Sequence, residues 1–187
     1  MALVKSIASR LQQATLTRGA WLSVAGVSGF AIATAVAAHV RIPLPFSPVP
    51  VTMQTFVVLL AGATLGSRSG AGSQVLYLAL GACGAPIFTG ATAFTAGYLL
   101  AFPVAAWAVG ALREREEVWA LPAGLALGTA VIYLLGGGWL ALVVGLGAQK
   151  AILTGVLPFL AGDAMKLVAV WALTMPMRRG YERLTQH

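Results

Sequence analysis

Six apolar runs divide this chain, at residues 21–40, 52–65, 71–84, 97–112, 122–146 and 158–175, and each is closed by a basic, glycine-rich or proline-rich stop. A backbone surrounded by hydrocarbon must satisfy its own N–H and C=O groups, so runs of this kind cross a bilayer as helices. At about 20 residues per crossing, six helices use about 120 positions. The rest of a 187-residue chain is enough for short connections only. Composition agrees, since 59% of residues are hydrophobic, 9% are charged and the mean hydropathy is +0.87. The expected fold is all-α and integral to the membrane: a compact bundle of six transmembrane helices forming a single domain over residues 1–187. Within it, residues 1–18 form a cytoplasmic segment, 19–177 the bundle and 178–187 a cytoplasmic tail.

The net charge of +7 does not describe a nucleic-acid surface, which gathers basic residues on one exposed face. Here Lys and Arg punctuate the apolar runs, as the positive-inside rule requires. With six crossings both termini share a side, and nine of the twelve Lys and Arg fall on it: Lys5, Arg10, Arg18, Arg68, Arg113, Arg115, Arg178, Arg179 and Arg183. Arg41 and Lys150 occupy opposite loops, and Lys166 lies within a span. Both termini are therefore expected on the cytoplasmic side of a bacterial inner membrane. The run from 19 to 40 is too long for a signal h-region. Ahead of it, Leu3, Ile7, Leu11 and Ala14 recur at helical spacing and predict a short amphipathic segment on the cytoplasmic surface. The lone Cys83 permits no internal disulfide.

Four prolines in Pro43-Leu44-Pro45-Phe46-Ser47-Pro48-Val49-Pro50 cannot continue a helix and predict a rigid loop. The second and third runs are short for lipid-facing helices, which implies tilt, shielding by neighbours or loops that fold back into the bundle. Three glycines at 136–138 are expected to interrupt the fifth span, and a linker through Gln149 and Lys150 to lead to the sixth. Small residues at four-residue spacing, such as Gly124 with Gly128 and Ala31 with Ala35, let helix backbones approach closely.

Glu114, Glu116, Glu117 and Glu182 fall in expected cytoplasmic segments, which leaves Asp163 as the only carboxylate inside a span. Lys166 stands one helical turn further on, on the same face. Charge near the bilayer centre costs at least a few kcal/mol, so such residues face a bundle interior or a wet cavity. Two readings follow. Either the two charges neutralise each other at a helix end, or they belong to a pocket in which a carboxylate accepts ligand N–H groups and an ammonium meets a ligand carboxylate. Signatures of catalysis are missing: there is no His-Glu-x-x-His, no Gly-x-Ser-x-Gly and no phosphate-binding Gly-x-x-x-x-Gly-Lys-Ser/Thr loop. His39 and His187 have no metal partner by spacing. No catalytic residue, metal or cofactor is expected, and any energy for uptake comes from another protein.

Two stretches, Pro45-Phe46-Ser47-Pro48-Val49-Pro50-Val51-Thr52-Met53-Gln54-Thr55-Phe56 and Pro158-Phe159-Leu160-Ala161-Gly162-Asp163-Ala164-Met165-Lys166, resemble the hallmark segments of the BioY family. These are the biotin-specific S components of energy-coupling factor (ECF) transporters. The resemblance continues through Gly81-Ala82-Cys83-Gly84-Ala85-Pro86-Ile87-Phe88 and Tyr133-Leu134-Leu135-Gly136-Gly137-Gly138-Trp139-Leu140. It implies a six-helix protein that captures biotin from the outer side, partnered by a transmembrane T component and ATPase subunits.

By the same resemblance Asp163, Lys166 and Gln54 belong to the biotin pocket, and Ala31 and Ala35 match the helix-one motif that meets the T component. Phe88, Thr89 and Tyr98 complete the expected ligand-binding set, with Phe88 and Tyr98 equally compatible with core or interface aromatics. The family's longer glycine-rich stretch after the third helix is here reduced to Thr89-Gly90-Ala91-Thr92-Ala93-Phe94-Thr95-Ala96-Gly97-Tyr98. The main expectation is that biotin's bicyclic head packs on aromatics and hydrogen-bonds Asp163 and Gln54, while Lys166 attracts its carboxylate. The alternatives are another small vitamin on the same scaffold, or an intramembrane enzyme with Asp163 and Lys166 as acid and base.

Overall fold

A computed structural model describes the backbone of residues 2–88, 92–115 and 117–185, and the side chains of residues 20–88, 93–115 and 117–175. Among these residues the protein is helical, apart from one two-stranded ribbon and short connections. Five long helices are present: α1 (Ala2–Ala37), α2 (Gln54–Ala82), α3 (Thr92–Arg113), α4 (Ala120–Leu142) and α6 (Leu160–Thr185). A short α5 (Ala148–Gly155) and a 3₁₀ turn (Leu157–Phe159) connect α4 to α6. Among the described residues, four segments are long and apolar enough to cross a membrane: Ala20–Ala37, Ala93–Arg113, Ala120–Leu142 and Ala148–Met175.

The expected second and third spans are joined in α2, which contains one residue with non-helical backbone, Gly66 (φ 81°, ψ −177°). The two halves fold back on each other there. Gln54 and Tyr77 would lie about 35 Å apart on a straight helix, yet their side chains are hydrogen-bonded at 2.9 Å. A Cβ on Gly70 would stand 2.9 Å from the Cα of Gly62. The reversal rests on α3, where a Cβ on Gly110 would reach within 2.3 Å of the Ser67 nitrogen. It is capped by Glu114, whose Oε1 accepts both the backbone N–H and the hydroxyl of Ser67 at 2.8 Å. Only glycine adopts the Gly66 conformation freely, because a Cβ there would meet both its own backbone and the Glu114 carboxylate.

Three further expectations change. The expected surface segment and the first span form one continuous helix, α1; the side chains of Leu3, Ile7, Leu11 and Ala14 lie outside the described residues. The glycines at 136–138 do not interrupt α4. Gly136 instead faces the Tyr98 ring, where a Cβ would come within 2.2 Å of a ring carbon. The linker through Gln149 and Lys150 is the helix α5.

The proline segment is closed at its base by the strands β1 (Arg41–Ile42) and β2 (Val51–Thr52), antiparallel with Arg41 opposite Thr52. Ser47 ties it across the molecule by donating to the carbonyl of Thr154, in α5, at 2.6 Å. A second polar tie joins α1 to α2, where Thr34 donates to Oε1 of the fully buried Gln74 at 3.2 Å. One buried cluster, built on Val58, Tyr77, Phe102, Ile132 and Leu140, fills the space among α2, α3 and α4 and leads into the site.

Candidate ligand-binding site

Asp163 lies in the first turn of α6, and Lys166 follows one turn later. Asp163 Oδ1 accepts from Lys166 Nζ at 2.7 Å and from the Thr55 hydroxyl at 3.1 Å, while Oδ2 accepts from the Tyr133 hydroxyl at 2.7 Å. Lys166 Nζ also donates to the Thr52 carbonyl at 2.7 Å and to Thr55 Oγ1 at 2.9 Å. An ammonium has three protons to donate, and each has an acceptor here. The cluster therefore binds α6 to β2, to the start of α2 and to α4 at once.

Both charged residues are buried, Asp163 at 4% exposure and Lys166 at 9%. A buried ion pair persists only when the remaining lone pairs and protons are also satisfied. Among the described residues no buried side-chain nitrogen or oxygen lacks a partner. The pair is thus interior: the two charges neutralise each other in the first turn of α6, and they do so on the wall of a cavity.

This cluster forms the polar end of a cavity. The lining atoms leave about 640 Å³ of empty space, mouth included, of which about 60 Å³ is open to the centres of water molecules. Val49, Pro50 and Thr52 contribute one wall from the proline segment, and Gln54 and Thr55 another from the start of α2. The apolar walls carry Tyr77, Phe88, Phe102, Ile132 and Phe159. Tyr77 and Phe88 meet edge to face at 5.6 Å and 75°, and Tyr77 and Phe102 are tilted at 6.5 Å and 32°. Phe88 is seated on Gly81, where a Cβ would stand 2.1 Å from its ring. An apolar slot with a few convergent polar groups at one end is the usual form of a small-molecule site.

Of the residues expected from sequence, Asp163, Lys166, Gln54, Phe88 and Tyr98 line this one cavity. Thr89 lies outside the described residues. Tyr98 presents its ring, because its hydroxyl already donates to the Gly155 carbonyl at 2.6 Å. Ala31 is 1% exposed and belongs to the core cluster, and Ala35 packs partly against that cluster. The open face of α1 is on the opposite side, with Trp21, Leu22, Ile32 and Val36 exposed and nothing within 4 Å of a Cβ built on Gly29. The departure from the expected Ala31 contact follows from helix geometry, since Ala31 shares its face with the buried Thr34 and Ala38.

Sequence reasoning missed Tyr133, Thr55 and Tyr77. Tyr133 is thirty positions from its partner Asp163, and no local spacing rule joins them. Thr55 carries a weak signal, as a hydroxyl at the very start of a helix beside Gln54. Tyr77 is a polar-tipped residue within an apolar run, which in lipid calls for a buried partner. Among the described residues no three His, Cys, Asp or Glu side chains gather as a metal site would require.

The family model described as the BioY family matches residues 10–183. A protein from Pyrococcus horikoshii named as a probable biotin transporter BioY is 39% identical over 147 residues, covering 75% of this chain and 86% of that one. The biotin transporter BioY of Thermotoga maritima is 36% identical over 147 residues, covering 74% and 86%. That of Rhizobium etli is 34% identical over 160 residues, covering 76% and 85%. Among solved structures, the S-component for biotin from an ECF-type ABC transporter superposes with a TM-score of 0.76 at 21% identity, over 87% of this chain and 93% of that one. At that identity the likeness establishes the fold.

Proposed function

The chain belongs to the BioY family, and from that premise we propose that it is a biotin-capturing subunit of a membrane vitamin uptake system, not an enzyme. The observation that carries the reading is the cavity in which a buried carboxylate and its hydrogen-bonded partners close one end of an aromatic slot. Biotin has a flat bicyclic head with two ring N–H groups and a ring carbonyl. Asp163 accepts from a ring N–H, the Gln54 amide meets the carbonyl, and Phe88 with the Tyr98 ring packs on the bicycle. Lys166 sets the field that draws in the carboxylate tail. Thr89 is the remaining member of the proposed ligand-binding set.

The protein acts as one membrane domain over residues 1–187, with six crossings when the two halves of α2 are counted separately. Both termini are on the cytoplasmic side of the cytoplasmic membrane, in keeping with the distribution of Lys and Arg. No phosphate-binding loop is present, so transport is driven by a transmembrane T component and ATPase subunits. The partner helix approaches α1 on the open side around Gly29, with Ala35 at its border and Ala31 supporting the helix from within.

The test is an equilibrium titration of the purified protein with labelled biotin. Saturable binding at one site per chain is expected, and unlabelled biotin should displace the label. No saturable binding would overturn the reading. Displacement by a different vitamin, with biotin inert, would keep the scaffold and change the cargo.

A further inference from the structure

Gln54 reaches the cavity through a primary amide, which has two faces of opposite character: two N–H donors on nitrogen and two lone pairs on oxygen. Which of them meets a ligand is decided by what holds the other. Here Nε2 donates one proton to the Tyr77 hydroxyl oxygen at 2.9 Å. Oε1 accepts from the Thr52 hydroxyl at 3.3 Å, and that hydroxyl in turn accepts the Gln54 backbone N–H at 3.3 Å. The second Nε2 proton has no acceptor among the described residues. Tyr77 itself is 0% exposed and is wedged between Phe88 and Phe102, so its oxygen is a fixed point.

We propose that Tyr77 is a positioning residue that sets the polarity of the site: it holds the Gln54 amide with its free N–H toward the ligand, so the site selects a ring carbonyl over a ring donor. The inference rests on the proposed capture of biotin, whose ring carbonyl is the acceptor concerned. The ring N–H groups of the same ligand are left to Asp163, so the two polar residues read opposite halves of one cyclic urea. The Tyr77 hydroxyl acts through Gln54, while its ring remains part of the cavity wall. Without that hydroxyl the amide keeps only the Thr52 contact, and because the Thr52 hydroxyl can accept as well as donate, the amide can turn and present Oε1 instead.

The experiment titrates four purified proteins, wild type, Tyr77→Phe, Gln54→Leu and the double variant, at neutral pH with biotin and with 2-iminobiotin, whose cyclic guanidine is then protonated and offers only donors where biotin has its ring carbonyl. Wild type is expected to prefer biotin by about tenfold or more, because a site built to donate to an acceptor rejects an analogue lacking it. Tyr77→Phe should narrow that preference to within about threefold and weaken biotin by up to about tenfold. In the Gln54→Leu background the Tyr77→Phe change should do nothing further to either ligand. A Tyr77→Phe protein that keeps the wild-type preference overturns the inference, as does a Tyr77 effect that survives in the Leu background. If Tyr77→Phe does not yield folded protein, Tyr77→Met takes its place, since it also removes the hydroxyl and can refill the space, and retention of the wild-type preference there overturns the inference. Absence of biotin binding by wild type overturns the capture reading as well, whereas normal binding with an unmoved preference overturns only the role of Tyr77.

Discussion

Asp163 receives three hydrogen bonds from within the protein, from Lys166, Thr55 and Tyr133, so it is held in one orientation before any ligand arrives. A carboxylate so placed has lone-pair capacity left on Oδ2. Asp163→Asn turns one of these oxygens into a donor facing donors. Biotin affinity should fall about tenfold to a hundredfold, the worth of a charge-assisted hydrogen bond, about 1.5–3 kcal/mol. Isothermal titration in detergent measures this, and an unchanged dissociation constant would remove Asp163 from the contacts. Tyr98 behaves differently. Its hydroxyl serves Gly155, so Tyr98→Phe should lower thermal stability by about 1 kcal/mol while biotin affinity stays within a few fold. A large loss of affinity at unchanged stability would contradict that division of labour.

At the scale of elements, the reversal in α2 brings Gln54 and Tyr77 together and so shapes the site. It depends on Gly66 at positive φ, on Gly110 for close approach and on the Glu114 carboxylate as a cap. Gly66→Ala should destabilise the protein by about 1–3 kcal/mol, as read from thermal unfolding in detergent. Bonds from Ser67 hold the Glu114 carboxyl below its ordinary value, with nearby Arg113 and Arg68 acting in the same direction. A depressed carboxyl stabilises the fold above its unfolded value, and that contribution is lost as pH falls through the lowered folded value. Unfolding temperature should therefore decline through the acid range more steeply in the wild type than in Glu114→Gln, which lacks this titration. Parallel curves for the two proteins would show the cap to be energetically silent. The cap carboxylate is largely exposed, so the difference is modest.

For the whole molecule, the faces of α1 have separate tasks. The side carrying Ala31 and Thr34 is buried against the bundle, and the side around Gly29 is open. Under the proposed partnership, Gly29→Trp should abolish co-purification with a T component and leave biotin binding intact. Ala31→Trp should lose both, because an indole cannot enter a core position. The opposite pattern, with Ala31→Trp binding biotin normally, would mean that α1 packs differently when the assembly forms.

The apolar runs, their stops and the lone intramembrane carboxylate with its neighbour Lys166 are local facts, so the sequence alone determined a helical membrane protein with a polar centre near residue 163. Hydrophobicity, helix breakers and one-turn spacing act over a few residues, and these are what a linear reading resolves. The tertiary structure decided what depends on distant backbone meeting: the fold-back at Gly66, the closing of the Asp163 cluster by Tyr133 and Thr55, the reassignment of the Tyr98 hydroxyl and the inward turn of Ala31. It also kept the glycines at 136–138 within a continuous helix, where Gly136 leaves room for an aromatic ring from another helix. Such contacts arise from close packing of small residues between helices, which sequence spacing permits without choosing the partner.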